Sequence, residues 1–275
     1  MEKLYVDMHV HSFYSDGSMS PGEIVEAAVW NGVGVLAVAD HNILDGSIEA
    51  QKLCKECGIH CIPAVELNTL DGESDIHILA YDYDMENRQF ADFVKHLRFL
   101  LDESSVKLVE RMQADYPNIS LAEFMEFTYD RTLGGWKNLH YLMEKGLASS
   151  AKEAMKYYLD YDILYKESGY PTIAATAYRI KRAGGYGVLA HPGEVIDFSD
   201  IGRFKEELRR IIAFGIDGIE CYYPSHSTEV TKACLELCDE YDLFITAGSD
   251  CHGDFGRKIT YVGEMGITRQ QVRIR

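Results

Sequence analysis

No run of about eighteen apolar residues occurs in this sequence, which excludes a membrane-spanning helix. The opening MEKLYVDMHVHS lacks the basic head, apolar stretch and small-residue cleavage site of a secretory leader, so a cytoplasmic protein is expected. A disulfide framework is not expected either, because seven cysteines, an odd number, in 275 residues fit reduced thiols better. Basic residues are in short supply. The 27 Lys and Arg against 44 Asp and Glu leave a net charge of −17, a field that repels a long nucleic acid duplex. Internal repeats and low-complexity tracts are absent. What is present is the composition of a globular protein, 47% hydrophobic and 26% charged, long enough to bury about three quarters of its unfolded surface.

Seven short aliphatic runs read as strands, at 4–12, 33–42, 60–69, 74–82, 186–193, 216–224 and 242–252. Between most of them lie segments of helical periodicity, at 21–31, 47–57, 200–214 and 228–241. Strands alternating with helices predict a largely parallel sheet, open or closed into a barrel. Residues 87–169 break the rhythm, with apolar spacing of i, i+3, i+4 and no convincing strand. They read as a folded helical insertion into an α/β catalytic unit made of 1–86 and 170–275.

Ionisable residues gather where these strands end. His9 and His11 are two apart, hence on one face of the first strand. Asp16 follows in a Ser-Asp-Gly-Ser turn, Asp40 and His41 end the second strand, Glu66 the third and His191 the fifth, while Asp250 and His252 end the seventh. In parallel α/β barrels that end carries the active site. A lone strand-end histidine is usually structural, but so many from five strands point to metal ligation. Imidazole with carboxylate suits Zn, Mn or Fe. Cys54 and Cys57 form a CxxC without a second pair to complete a zinc site, and Cys251 faces away from its neighbours.

His9-Val10-His11-Ser12, Ser15-Asp16-Gly17, Ala39-Asp40-His41, Glu66, Ala190-His191-Pro192 and Ser249-Asp250-Cys251-His252, in this order and spacing, resemble the PHP (polymerase and histidinol phosphatase) family. The resemblance implies a distorted seven-stranded β/α barrel with a helical insertion. It also implies a cluster of two to three divalent transition-metal ions and adds His77 to the ligands. Carried over, it places His9, His11, Glu66 and Asp250 on one metal, lets Glu66 bridge to a second held by His77 and His191, and puts Asp16, His41 and His252 on a third. His77 falls at the start of its predicted strand, the wrong end unless that strand is antiparallel. Six neutral histidines and three carboxylates with three divalent ions leave roughly +3, a charge suited to a phosphate ester attacked by metal-activated water.

Asp7 and Asp40 are candidates to orient a ligand imidazole, with buried structural hydrogen bonding as the equal alternative. His226, after the sixth strand, resembles a histidine in one branch of PHP phosphoesterases and is a candidate for phosphate contact or leaving-group protonation. Gly146–Ala154 and Lys181–Gly185 resemble the branch acting on nucleoside 3′,5′-bisphosphates and, in some members, RNA 5′ ends. That branch usually carries Arg-Pro-His where this chain has Trp136-Lys137-Asn138. Trp136 is a candidate to stack on a base, Lys137 to meet a distal phosphate, and Arg257 to contact phosphate. The expected activity is metal-dependent hydrolysis of a small phosphorylated nucleotide, with the insertion as a lid or substrate wall. Alternatives are another small-monoester phosphatase, such as one for histidinol phosphate, and a non-catalytic metal-binding regulatory module. An amidohydrolase is disfavoured because no strand-end lysine is available to bridge two metals.

Overall fold

The computed structural model describes residues 4–256 and 259–274. Among them, eight strands form two sheets. β1 (Tyr5–Val10), β2 (Val33–Val38) and β3 (His60–Cys61) pair in that order, all parallel. The second sheet runs β4 (Ala64–Asp71), β5 (Ser74–Tyr81), β6 (Tyr186–Leu189), β7 (Gly218–Tyr222) and β8 (Phe244–Ala247). It is mixed: β5 is antiparallel to both its neighbours, whereas β6, β7 and β8 run parallel.

This corrects the seven-strand expectation. The run at 60–69 is two strands, because Pro63 has no N–H to donate and falls where the chain leaves one sheet for the other. β4 then turns through Gly72, at φ +61°, into β5, so the fourth predicted strand is the return arm of a hairpin. No continuous closed sheet occurs among the described residues; isolated bridges link the two sheets instead. One seam pairs Val10 with Cys251, the other His41 with Glu66. The Asp250 amide donates to the His9 carbonyl at 2.8 Å, and the Asn42 amide to the Glu66 carbonyl at 2.9 Å. Both seams thus fall on residues singled out for chemistry.

Helices cover the outer faces. α1 (Pro21–Trp30) starts with a capping box between Ser20 and Glu23, and α2 (Asp45–Cys57) stops at Gly58 in the left-handed region. The insertion holds α3 (Arg88–Met112), α4 (Leu121–Glu126), α5 (Lys137–Glu144), α6 (Ala151–Ala154) and α7 (Lys156–Asp160). α8 (Ile173–Arg182), a short α9 (Pro192–Val195), α10 (Ile201–Ile212) and α11 (Thr228–Glu240) complete the set. Ser227 caps α11 by accepting from the Val230 amide.

One apolar cluster takes side chains from both sheets, among them Met8, Ala37, Tyr81, Tyr186 and Ala247. α3 spans two cores. Its first half, Phe90, Val94 and Leu97, packs with β4, β5 and α8, while Leu108, Val109 and Met112 pack with α4 and α5 in the insertion's own core. A polar link also joins the insertion to the rest: the Gly135 amide donates to the Asp16 carbonyl at 2.7 Å. Gly134 and Gly135 lie so close to Phe255 that an added Cβ would come within 2.4 and 2.7 Å of its ring carbons or Cβ.

Candidate metal centre

The nine expected ligands meet in one cluster, and Glu66 is its hub. Glu66 and Asn68 share one face of β4, and on β5 His77 stands directly opposite Asn68, so the hairpin aims Glu66 and His77 at one point. The antiparallel direction of β5 resolves the strand-end difficulty of His77. Glu66 Oε1 lies 3.0 Å from His77 Nδ1 and 3.0 Å from His191 Nε2. Its Oε2 lies 3.2 Å from His9 Nε2, His11 Nε2 and His41 Nδ1. Each carboxylate oxygen thus faces a different set of imidazoles.

Among the described residues, three groups have ligand atoms close enough to share an ion: His11, Asp16, His41 and His252; His9, His11 and Asp250; and His41, Glu66 and His77. His191 joins through Glu66. Within the cluster, His11 Nδ1, Asp16 Oδ1, His41 Nδ1 and His191 Nδ1 are buried without a hydrogen-bond partner. His11 Nδ1 and Asp16 Oδ1 face each other at 3.6 Å. Buried lone pairs gathered in this way are costly unless a cation meets them, and a donor set of imidazole and carboxylate without thiolate fits divalent Zn, Mn or Fe.

The electrostatics agree. Burial works against charging His11, but Asp250 and Glu66 outweigh it and raise its pKa to about 10. Burial likewise opposes charge on His9 and His77, yet the carboxylates beside them hold both well above the ordinary histidine value. For His41 burial prevails and lowers the pKa to about 4. Burial alone would raise Glu66 and Asp250, but the surrounding imidazoles hold both far below the usual carboxylate range. The pocket therefore draws in positive charge.

The backbone is bent to serve this geometry. His191 has φ +27° and Asp250 φ +50°, uncommon values for residues other than glycine. Glu220, fully buried on β7, holds both ends of the cluster: its Oε1 meets His9 Nδ1 at 3.0 Å and its Oε2 accepts from the His191 amide at 2.8 Å. A carboxylate only accepts, so Nδ1 of His9 carries a proton, and the inward-facing Nε2 is the nitrogen left for a metal once it is deprotonated. Gly248 makes room, since a Cβ there would lie 2.7 Å from Glu220 Oε1. Tyr223 donates to Asp250 Oδ2 at 2.7 Å. Sequence reasoning missed Glu220 and Tyr223; the one available signal was Glu220 as the acidic residue inside the strand Gly218–Tyr222.

Several expected roles change. Asp7 holds no imidazole: it accepts from the Ser249 amide at 2.9 Å and the Gly263 amide at 2.7 Å, tying down the loop that carries Asp250. Asp40 accepts from the Ser12 amide at 2.7 Å and the Ser15 hydroxyl at 2.6 Å, bracing the turn that carries Asp16. His226 is committed to structure. Its Nδ1 donates to the Cys221 carbonyl at 3.1 Å, and its Nε2 accepts from the Gly193 amide at 3.1 Å, so no proton is left to give a leaving group. Lys137 turns into the insertion, donating to the Met125 carbonyl at 2.8 Å above the Phe124 ring. Trp136 does face the cluster, 6.0 Å from the His41 ring, while also packing on the insertion's core. Arg257 lies outside the described residues.

The PHP domain family model matches residues 7–220. The chain belongs to the PHP family. Curated PHP-type relatives run nearly the full length. A 5′-3′ exoribonuclease of Haemophilus influenzae is 29% identical over 92% of this chain and 91% of its own. A phosphoribosyl 1,2-cyclic phosphate 1,2-diphosphodiesterase of Eggerthella lenta is 28% identical, over 94% and 97%. A 3′,5′-nucleoside bisphosphate phosphatase of Chromobacterium violaceum is 26% identical, over 94% and 92%. A solved structure from Bifidobacterium adolescentis, assigned as a metal-dependent phosphoesterase, superposes with a TM-score of 0.71 at 27% identity, covering 93% of this chain and 92% of that one. This PHP protein is a metal-dependent phosphoesterase. No helix among its described residues is long and apolar enough to cross a membrane.

Proposed function

We propose that this PHP protein hydrolyses a small phosphorylated nucleotide, with nucleoside 3′,5′-bisphosphates as its preferred substrates, using two to three divalent ions held by His9, His11, Asp16, His41, Glu66, His77, His191, Asp250 and His252. The observation that carries the reading is Glu66, whose two oxygens face separate imidazole sets at 3.0–3.2 Å. Divalent ions held by these residues would supply an activated water and positive charge toward the attacking and leaving oxygens. Glu220 and Tyr223 hold His9, the His191 backbone and Asp250 in place, while Asp7 and Asp40 fix the loops that bring Asp250 and Asp16 inward. The segment 87–169 serves as a substrate wall, with Trp136 beside His41 offering a flat face to a base.

The relatives divide over substrate, since one is named for RNA, one for a cyclic phosphate and one for nucleoside bisphosphates. The exclusion of duplex nucleic acid drawn from net charge therefore finds no support among them. The −17 charge still favours a small substrate over a long polyanion. The test is a parallel measurement of kcat/KM on adenosine 3′,5′-bisphosphate, a 5′-phosphorylated RNA oligonucleotide and a ribose 1,2-cyclic phosphate. The bisphosphate should be fastest. RNA in that position would make the protein an exoribonuclease, and a metal-reconstituted protein inactive on all three would refute the nucleotide reading.

A further inference from the structure

Arg98 sits where α3 passes from the sheet core to the insertion core, one residue after Leu97, the last of its side chains buried against the sheets. Its guanidinium is only partly engaged. Nε pairs with Asp102 at 3.2 Å one turn along the same helix, and the Cζ atom lies 5.1 Å from the centre of the Trp136 ring. Nη1 is buried and, among the described residues, has no hydrogen-bond partner. A guanidinium cannot shed its charge, so a buried N–H of this kind calls for an acceptor, and an anion is the best one. Trp136 connects it to the catalytic cluster, its ring 6.0 Å from that of His41. Lys137, next to Trp136 in the chain, is held by Met125 and Phe124.

We infer that Arg98 binds the phosphate of the substrate remote from the bond being broken, with Trp136 stacked between that subsite and the metal cluster. This rests on the nucleotide reading above and names the residue that selects a bisphosphate over a monophosphate. Asp102 engages only Nε of the guanidinium and leaves Nη1 without an acceptor, on a fork that lysine does not reproduce.

The test uses metal-loaded enzyme in a Trp30→Phe background. The protein has two tryptophans and Trp30 is 78% exposed, so emission then reports Trp136 alone. Wild-type Arg98 should favour adenosine 3′,5′-bisphosphate over the adenosine monophosphates, and mixing with the bisphosphate should change Trp136 emission before turnover. Arg98→Met should lower the ratio of kcat/KM for bisphosphate over monophosphate by about tenfold to a hundredfold, chiefly through KM, and abolish the early emission change. Arg98→Lys should recover only part of each. An intact preference and emission change in Arg98→Met overturns this inference alone, whereas a parent enzyme with no preference for the bisphosphate overturns the nucleotide reading and this inference with it.

Discussion

Replacing Glu220 by Gln should loosen the metal centre without emptying the fold. The side chain is fully buried and accepts from two N–H groups, His9 Nδ1 at 3.0 Å and the His191 amide at 2.8 Å. Gln has the same shape but one acceptor oxygen, so in either orientation its NH2 confronts one of those donors. Losing a buried hydrogen bond to a charged group costs roughly 1.5–3 kcal/mol. If the Gln oxygen keeps the His191 amide, the His9 ring loses the partner that fixes its proton on Nδ1 and its inward lone pair on Nε2. If it keeps His9, the strained backbone at His191, φ +27°, loses its anchor. Either way one ligand is misplaced, and metal affinity should fall by about tenfold to a hundredfold. Competition against a calibrated chelator, read by elemental analysis, measures this directly, with circular dichroism and cooperative melting confirming the fold. An exposed control, Glu240→Gln, should leave affinity unchanged. Unaltered affinity in a folded Glu220→Gln protein would refute the role given to this carboxylate.

The remaining expectations concern protonation and the reassigned residues. In chelated protein the raised His9, His11 and His77 stabilise the fold fully below about pH 6.5 and lose this as pH climbs through their folded values, about 10 for His11. The lowered Glu66 and Asp250 act oppositely, stabilising above about pH 4–4.5 and losing this as pH falls. Metal-free protein should therefore melt highest between about pH 5 and 6.5, and metal should reverse the alkaline decline because ligation needs deprotonated imidazoles; chelated protein that gains stability from pH 6.5 to 9 contradicts this. His226→Ala should cost about 1–3 kcal/mol of stability for two lost backbone contacts and leave the acid–base profile of kcat unchanged; a loss confined to poor leaving groups would restore its role as an acid. Lys137→Ala should change kcat/KM equally for mono- and bisphosphates, and a loss on bisphosphates alone would return it to the substrate site.

Much of the site was legible in the primary structure because metal ligation leaves a dense local pattern. Pairs such as His9 and His11, two residues apart, share a strand face by period alone, and six such elements in a set order identify the family before any coordinates. The helices at 21–31, 200–214 and 228–241 were likewise readable, since local apolar spacing and caps determine them.

Pairing partners were not legible, because they depend on residues far apart in the chain. The run at 60–69 carries no internal mark that its two halves join different sheets, and the direction of β5, which brings His77 to Glu66, is decided by the hairpin through Gly72. Side-chain commitments were equally hidden. His226, Asp7 and Lys137 looked free for chemistry, but each finds its hydrogen-bond partners on other segments of the chain. Glu220 and Arg98 carried no recognisable pattern, since a single charge in an apolar strand or on a long helix acquires meaning only from what it meets. The sequence by itself determined the family, through motifs in a set order, and the local helices, through short-range periodicity. The tertiary structure alone decided which carboxylate holds His9 and which cation keeps a buried N–H unpaired beside Trp136, because those contacts join segments separated by tens to hundreds of residues.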